Sequence, residues 1–517
     1  MDKRRGLLNI GTSISSRILL LLVALYIRRL LIISVGNEAN GINALYGSVL
    51  GLLSVAELGV GSAIVFSMYS PIVEGDKRKV AALYCLYRKL YRIIGAIIFA
   101  AGLAVMPFLP RLMSDYNTLD INVYTTFFLT LISVVLSYLY GAKTSLIEAH
   151  KDNYITTGIA TLSRLIRYAL QIATLLIFRS FEIFLICQII ETVFVWGITD
   201  RVVKKLHPDI IAVRESLDSE TSAEVTRNIK AMFMHKAGGI LVGAVDGMVI
   251  SAFIGVAVLG RYSNYTAVAA AATSIISLFF TPLTSVLGHL CASESETEIE
   301  KNFEHFYSLN FILGVTFFLG YFAVIDSVIS ILFGNDLLMP EVVSFVIALN
   351  SFTGYMRYSQ LTFRDASGTF YYDRWKPVAE GLLNLVLSIA LVKVLPPEYA
   401  VTGVIAATII TTIVICDIVE PHILFKYVFK RSAKTFYIKN YSNILIFAVA
   451  LVVIGKIRLS LSNTIVDIFA NGCISLAVTA VTLLITGTID KSFASECQII
   501  VSQAKEWLSK KGKEGSK

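Results

Sequence analysis

The chain has 517 residues, 56% of them hydrophobic and only 16% charged, with a mean hydropathy of +0.71. Soluble domains carry about 25% charged residues, so the composition excludes a soluble enzyme and describes an integral membrane protein. A net charge of +8 could suggest nucleic acid in a soluble chain, but here it reports topology, and no nucleic-acid partner is expected.

The N-terminus, MDKRRGLLNIG, is basic but has no small-residue cleavage site behind a short apolar core, so it reads as the entry to a retained helix. Apolar stretches long enough to cross a bilayer follow at 10–35, 42–68, 90–110, 121–147, 155–178, 181–200, 235–259, 265–291, 306–332, 341–362, 377–395, 400–425, 441–460 and 464–489. The fold class expected is an all-α polytopic membrane protein of about 14 transmembrane helices. Basic connectors at 74–92, 200–236 and 426–440 alternate with short, charge-poor loops, which places both termini in the cytoplasm by the positive-inside rule. The lysine-rich tail, 491–517, is expected there too, weakly attracted to anionic lipid heads. Pro282 is expected to kink the eighth span.

Catalysis finds no support. The outer loops are short, the six histidines are dispersed, and there is no Ser/His/Asp set, Walker loop or metal-ligand spacing. The six cysteines form no CxxC pair, which argues against both a zinc site and a disulfide framework. No enzyme activity, metal site or cofactor is expected.

The first span, "SRILLLLVALYIRRLLIISVGNEANG" (16–41), carries Arg17, Arg28 and Arg29. A hydrocarbon core about 30 Å thick needs roughly 20 helical residues, so at least one guanidinium falls at membrane depth. Arg17 and Arg28 are eleven residues apart, hence about 20° apart and on one helix face. In the fifth span, Arg164, Arg167, Tyr168 and Gln171 share a face at i, i+3, i+4 and i+7. A lipid-facing arginine stripe is heavily penalised, so both stripes are expected to line a wet cavity. Snorkelling of Arg28 and Arg29 to the interface is the alternative. Few carboxylates stand nearby, Glu57 being a possible partner, and an unpaired basic lining suits an acidic or phosphorylated cargo. Arg357, in the tenth span, is a cation candidate of the second half or, equally, a positive-inside anchor.

Gly36, Gly41 and Tyr46 recur 219 positions on as Gly255, Gly260 and Tyr265, each set following an apolar helix. The offset equals six spans, which preserves polarity and points to a parallel repeat. The expected organisation is two pseudo-equivalent six-helix lobes, 1–205 and 234–428, joined by a cytoplasmic linker, 206–233. Two further helices follow in 429–490, then the tail.

Several stretches resemble polysaccharide flippases of the Wzx type, in the multidrug/oligosaccharidyl-lipid/polysaccharide (MOP) exporter superfamily. These are "SVAELGVGSAIVFSMYSPIVEGDKRKVAALYCLYRKLYRIIGAIIFAAGLAVMPFLP" (54–110), "MHKAGGILVGAVDGMVISAFIGVAVLGRYSNY" (234–265), "RDASGTFYYDRWKPVAEGLLNLVLSIALV" (364–392) and "VTGVIAATII" (401–410). The resemblance covers most of the first 425 residues; the last two spans match in hydropathy only. It implies translocation of undecaprenyl-diphosphate-linked oligosaccharide across a bacterial inner membrane for O-antigen (lipopolysaccharide) or capsule synthesis. It also implies alternating access through a cationic cavity, with membrane lipids, a polysaccharide polymerase and a chain-length regulator as partners. Arg17, Arg28, Arg164, Arg167 and Arg357 would then contact diphosphate or acidic sugar, with Tyr168 and Gln171 beside them. The same fold serves a lipid II flippase, and drug/cation antiporters fit less well because a basic cavity repels cationic drugs.

Asp246 stands mid-span where the resembled family often has Asp followed by Asn; here Gly247 follows. Three roles stay open for it: a Na+ or H+ coupling site with Glu380 and Asn384 (and Thr408 or Thr411), a pair with an arginine, or a structural role. Asp417 and Glu420 are expected to face the cytoplasm.

Overall fold

The computed structural model describes residues 3–498, apart from 58–59, 214, 216, 218–224, 227–228, 230–242, 281–286, 289 and 292. Pro282, most of the 206–233 linker and the tail beyond 498 lie outside the described residues, as does the side chain of Arg17. The described residues form helices and no strands. In chain order the principal helices are α1 (Lys3–Ser34), α2 (Asn37–Leu53), α3 (Val60–Glu74), α4 (Lys77–Val105), α5 (Val123–Ala149), α6 (Asn153–Ile177) and α7 (Phe181–Leu206). They continue as α8 (Gly243–Phe253), α9 (Val256–Phe280), α10 (Glu296–Phe333), α11 (Glu341–Ala366) and α12 (Lys376–Val394), and then α13 (Ala400–Thr411), α14 (Asp417–Tyr427), α15 (Lys434–Ile457) and α16 (Thr464–Ile489). Nine helical segments among the described residues are long and apolar enough to cross a membrane. The stretch expected as one second span is instead two helices. Between α2 and α3 the chain tightens into a 3-10 turn at Ser54–Glu57, where the Ser54 hydroxyl bonds back to the Leu50 carbonyl.

The chain divides into two compact units. The first comprises 1–263 with 377–404, and the second 264–376 with 405–517. Residues 377–404, read from sequence as part of the second lobe, thus cluster with the first unit.

In the first unit α1 packs along α6, α5 packs along α7, and α4 lies against α3 and α5. Small residues permit the close approaches: Gly102 sits under Leu131, and Gly141 under the Tyr91 ring. The "EGDKRK" connector is a helix stop followed by a helix start. Gly75 adopts φ +75° after α3, and the Asp76 carboxylate caps α4 by accepting from the Lys79 amide at 3.0 Å. Lys77 then reaches Asp209 at 2.7 Å and holds that exposed carboxyl below its usual range.

In the second unit the 38-residue α10 is the central post, packed by α11, α15 and α16. Its first turns carry Glu296, Glu300 and Glu304 at four-residue spacing, and these pair with Lys430, Arg431 and Lys439 respectively. The "RDASGTFYYD" loop is closed by Arg364, which bonds Asp373 at 2.6 Å and Asp365 at 2.8 Å, with Gly368 supplying φ +70°.

The two tyrosines of the sequence motif are both buried, with different hydrogen-bond partners. Tyr46 is fully buried, and its hydroxyl donates to the Val123 carbonyl at 2.8 Å, at the start of α5. Tyr265 is fully buried as well, and its hydroxyl donates to Asp326 and accepts from the Met339 amide, just before α11. Removing either hydroxyl loses hydrogen bonds between helices, each worth about 0.5–1.5 kcal/mol. Tyr46→Phe and Tyr265→Phe are therefore each expected to lower the thermal unfolding temperature of detergent-purified protein, and unchanged unfolding in both would remove the tyrosines as structural anchors.

Candidate functional site

The first unit contains the α1 and α6 arginines and Asp246. At its α1–α2 elbow the chain turns through Gly36 at φ +124°, and at the α8–α9 elbow through Gly255 at φ +137°. A Cβ on Gly41 would fall 2.0 Å from the Val256 carbonyl oxygen, and one on Gly260 would fall 2.6 Å from that of Asn37. Under the 219-residue offset, Gly260 corresponds to Gly41 and Val256 to Asn37, so the elbows meet through equivalent positions. Asparagine amides sew the contact: Asn37 donates to the Ala257 carbonyl at 2.7 Å, and Asn40 to that of Gly260 at 3.0 Å. Asp115, from the loop after α4, caps α9 by accepting from the Val256 and Ala257 amides.

Arg28 belongs to this clamp. Its Nη1 donates to the Ser263 carbonyl oxygen at 2.7 Å and to the Ser263 hydroxyl at 3.2 Å. It therefore points across to α9 rather than outward along α1. Asp246 is half-buried on α8, where the Tyr262 hydroxyl donates to its carboxylate. The glycine at 247 also has a physical reason, since a Cβ there would lie 2.4 Å from the Ser48 hydroxyl. Glu380 and Asn384 are both buried, one turn apart on α12.

The α6 stripe is paired, against the expectation of an unpaired basic lining. Arg167 Nη1 meets Glu191 of α7 at 2.8 Å, while Arg164 Nε stands 3.8 Å from the same carboxylate with 46% of its side chain exposed. The Arg167 guanidinium lies over the Tyr168 ring at 4.9 Å. Gln171 is fully buried and donates to the Phe184 carbonyl at 3.2 Å, so its amide is used within the helix pair. Leu162, Ile166 and Leu170 form the exposed apolar stripe of the same helix. Arg164 lies about 160° around the axis from Leu162 and from Ile166, so its exposed guanidinium and the apolar stripe face opposite ways.

Two clusters were not read from the sequence. Glu57, in the 3-10 turn, accepts hydrogen bonds from Tyr91 at 2.6 Å and Tyr138 at 2.8 Å, and Tyr87 donates to Tyr91 at 2.9 Å. In the second unit Arg357 and Lys376 converge on Glu420, the arginine at 2.8 Å. Glu420 and Asp417 are both buried, which corrects the expectation that they face the cytoplasm. Two cations from α11 and the start of α12 make that burial tolerable. No group of three or more His, Cys, Asp or Glu side chains that could hold a metal ion occurs among the described residues.

No family model matches the sequence, and no curated protein matches it. The fold is nonetheless similar to solved transporters of the MOP superfamily. A lipid II flippase, MurJ, in an inward closed conformation matches with a TM-score of 0.62 at 15% identity, over 93% of this chain and 98% of that one. An inward-facing multidrug resistance MATE family transporter of the MOP superfamily matches at 0.59 and 11% identity, over 85% and 96%.

The elbow clamp leaves no room at position 41. With the six native cysteines replaced by alanine, a cysteine at the buried Ala39 reports on it. Gly41→Leu is expected to raise labelling of that cysteine by a membrane-impermeant maleimide severalfold, whereas Gly47→Leu, with nothing within 4 Å of its Cβ position, is expected to leave labelling unchanged. Equal labelling in both would mean that the elbows do not close this surface.

Proposed function

We propose that the protein is a flippase for polyprenyl-diphosphate-linked oligosaccharides, the undecaprenyl-linked repeat units of O-antigen or capsule, in a bacterial cytoplasmic membrane with both termini inside. The observation that carries this reading is the exposed guanidinium of Arg164 at the middle of a span, turned away from the apolar stripe of its own helix. A charged group at that depth needs water or a counter-ion, and a diphosphate passing the α6–α7 cluster supplies one. Arginine suits that group because its planar fork binds phosphate oxygens in pairs.

The repeats at 1–205 and 234–428 act as the two lobes of alternating access, and the elbow clamp is the closure at the outer ends of their first helices. Its tight glycine contact fits the inward-facing and inward closed states named for the similar structures. Opening it would part Arg28 from Ser263, and Arg17 lies eleven residues away on the same face of α1. Both then join Arg164 and Arg167 as contacts for the head group, with Tyr168 beside them and Gln171 holding α6 to α7. Arg357 serves as a second-half contact only if it leaves Glu420. The structural likeness to a lipid II flippase favours that cargo as the second reading, since its head group is also a polyprenyl diphosphate.

Arg164→Ala with Arg167→Ala is expected to stop export, with lipid-linked precursor accumulating inside at normal protein level. Each lost charge-assisted phosphate contact weakens binding by roughly tenfold or more. The accumulating species identifies the cargo: surface-polysaccharide units support the first reading and lipid II the second. Unchanged surface polysaccharide and unchanged peptidoglycan synthesis would reject both.

We further propose that Asp246, with Glu380 and Asn384, couples transport to Na+ or H+. Asp246→Asn retains an acceptor for the Tyr262 hydroxyl but removes the charge. It is expected to slow flipping in proteoliposomes and flatten its dependence on sodium or pH. A full dependence in the variant takes Asp246 out of the coupling site.

A further inference from the structure

The turn joining α14 to α15 connects two membrane-spanning segments, Pro397–Tyr427 and Lys434–Ile457, and therefore lies at a membrane face. A cavity of about 600 Å³ opens there within the second unit, lined by His422, Lys426, Lys430, Arg431, Lys434 and Tyr437 among others. The chain folds these cations together. Lys430 takes φ +52°, and the Arg431 amide bonds back to the Phe425 carbonyl at 2.9 Å, which returns the backbone toward the end of α14.

The charges around the cavity are not balanced. Lys430 pairs with Glu296 and Arg431 with Glu300, so the acidic start of α10 neutralises two of the four cations. Lys426 has only the Tyr427 ring, 5.1 Å away, and no described carboxylate lies within ion-pairing distance of Lys426 or Lys434. Lys434 also begins α15, whose first turn holds no acidic residue and whose amide end has only the neutral Ser432 hydroxyl, accepting from the Lys434 amide at 3.4 Å. Cations at the positive end of a helix dipole repel it, and an anion between them relieves the repulsion.

The surroundings select the kind of anion. Ile418 on α14 and Ile438 on α15 are exposed apolar side chains, with Leu445 two turns further along α15. Tyr437, which lines the cavity, donates to the Ile418 carbonyl of α14 at 2.8 Å, and Tyr441 to that of Ile413 in the π-helical turn just before α14 at 3.1 Å, so α15 is tied to the same segment of chain. The exposed faces of Tyr372 and Tyr427, stacked at 3.9 Å, stand at the same end of α14. A basic pocket opening onto an apolar helix pair at the membrane surface matches a phospholipid, with its head at the cations and its chains against the helices.

We propose that this cavity binds the phosphate of an anionic membrane phospholipid, held by Lys426 and Lys434. The site is separate from the α6–α7 arginine cluster, and its existence does not depend on which cargo is transported.

The test uses full-length protein in detergent, with retained lipid read by native mass spectrometry after addition of phosphatidylglycerol or, separately, phosphatidylcholine. Wild type is expected to retain phosphatidylglycerol in preference. Each of Lys426→Gln and Lys434→Gln, both exposed and so compatible with folding, is expected to weaken that retention by roughly fivefold. Lys456→Gln, at the far end of α15, is the control and is expected to have no effect. Equal retention of the two lipids, or variants that bind like wild type, overturns the proposal. Displacement of phosphatidylglycerol by millimolar inorganic phosphate would assign the site to a free anion and overturn the lipid source.

Discussion

An ionised side chain at membrane depth must be compensated within the protein, because hydrocarbon offers neither water nor counter-ion. Much of the architecture answers to this constraint. Arg167 leans on Glu191, Arg357 and Lys376 on Glu420, and Arg458 on Asp326, while two tyrosine hydroxyls serve Glu57. Each arrangement ties one helix to another, so charge compensation and helix packing are achieved by the same contacts. The broken second span follows from it as well. The 3-10 turn at Ser54–Glu57 sets the Glu57 carboxylate where Tyr91 and Tyr138 can reach it from α4 and α5.

The helical architecture was legible because membrane spans announce themselves by length and apolarity. The glycine motif was legible because glycines that permit a close backbone approach have few substitutes. What the eleven-residue pattern could not reveal was that the two copies touch. Gly41 and Gly260 read as members of a repeated motif in sequence, and only in three dimensions do they become the two halves of one contact. The two motif glycines before them, Gly36 and Gly255, carry the positive φ that turns each elbow.

The partners of the charges were far less legible. Arg164 and Arg167 were placed on one face by periodicity, but Glu191 lies in the next helix, and no periodicity links residues across a loop. Asp417 and Glu420 stood near a basic connector, which suggested solvent. Arg357 and Lys376 hold Glu420 in the interior, and both cations lie more than forty positions from it. Gly247, which seemed a departure from the resembled family's pattern, is explained by the Ser48 hydroxyl opposite it. Side-chain pairing is set by tertiary placement, and hydropathy does not encode it.

The two principal ion clusters differ in how tightly their charges are held, and the difference bears on what each can do. In the second unit Arg357 and Lys376 both contact Glu420, and all three side chains are largely buried. A tightly held cluster of this kind suits a fixed joint between helices. In the first unit Arg164 and Arg167 share Glu191 alone among the described residues, and the more exposed arginine holds it only at 3.8 Å. One positive charge is left over at the middle of a span, on the face turned away from the apolar stripe. Such an excess is expensive in an empty membrane protein unless water reaches it, and it becomes favourable when an anion arrives. On the proposed reading, that exposed and loosely held charge, more than the number of arginines, is what would let α6 and α7 receive an acidic head group.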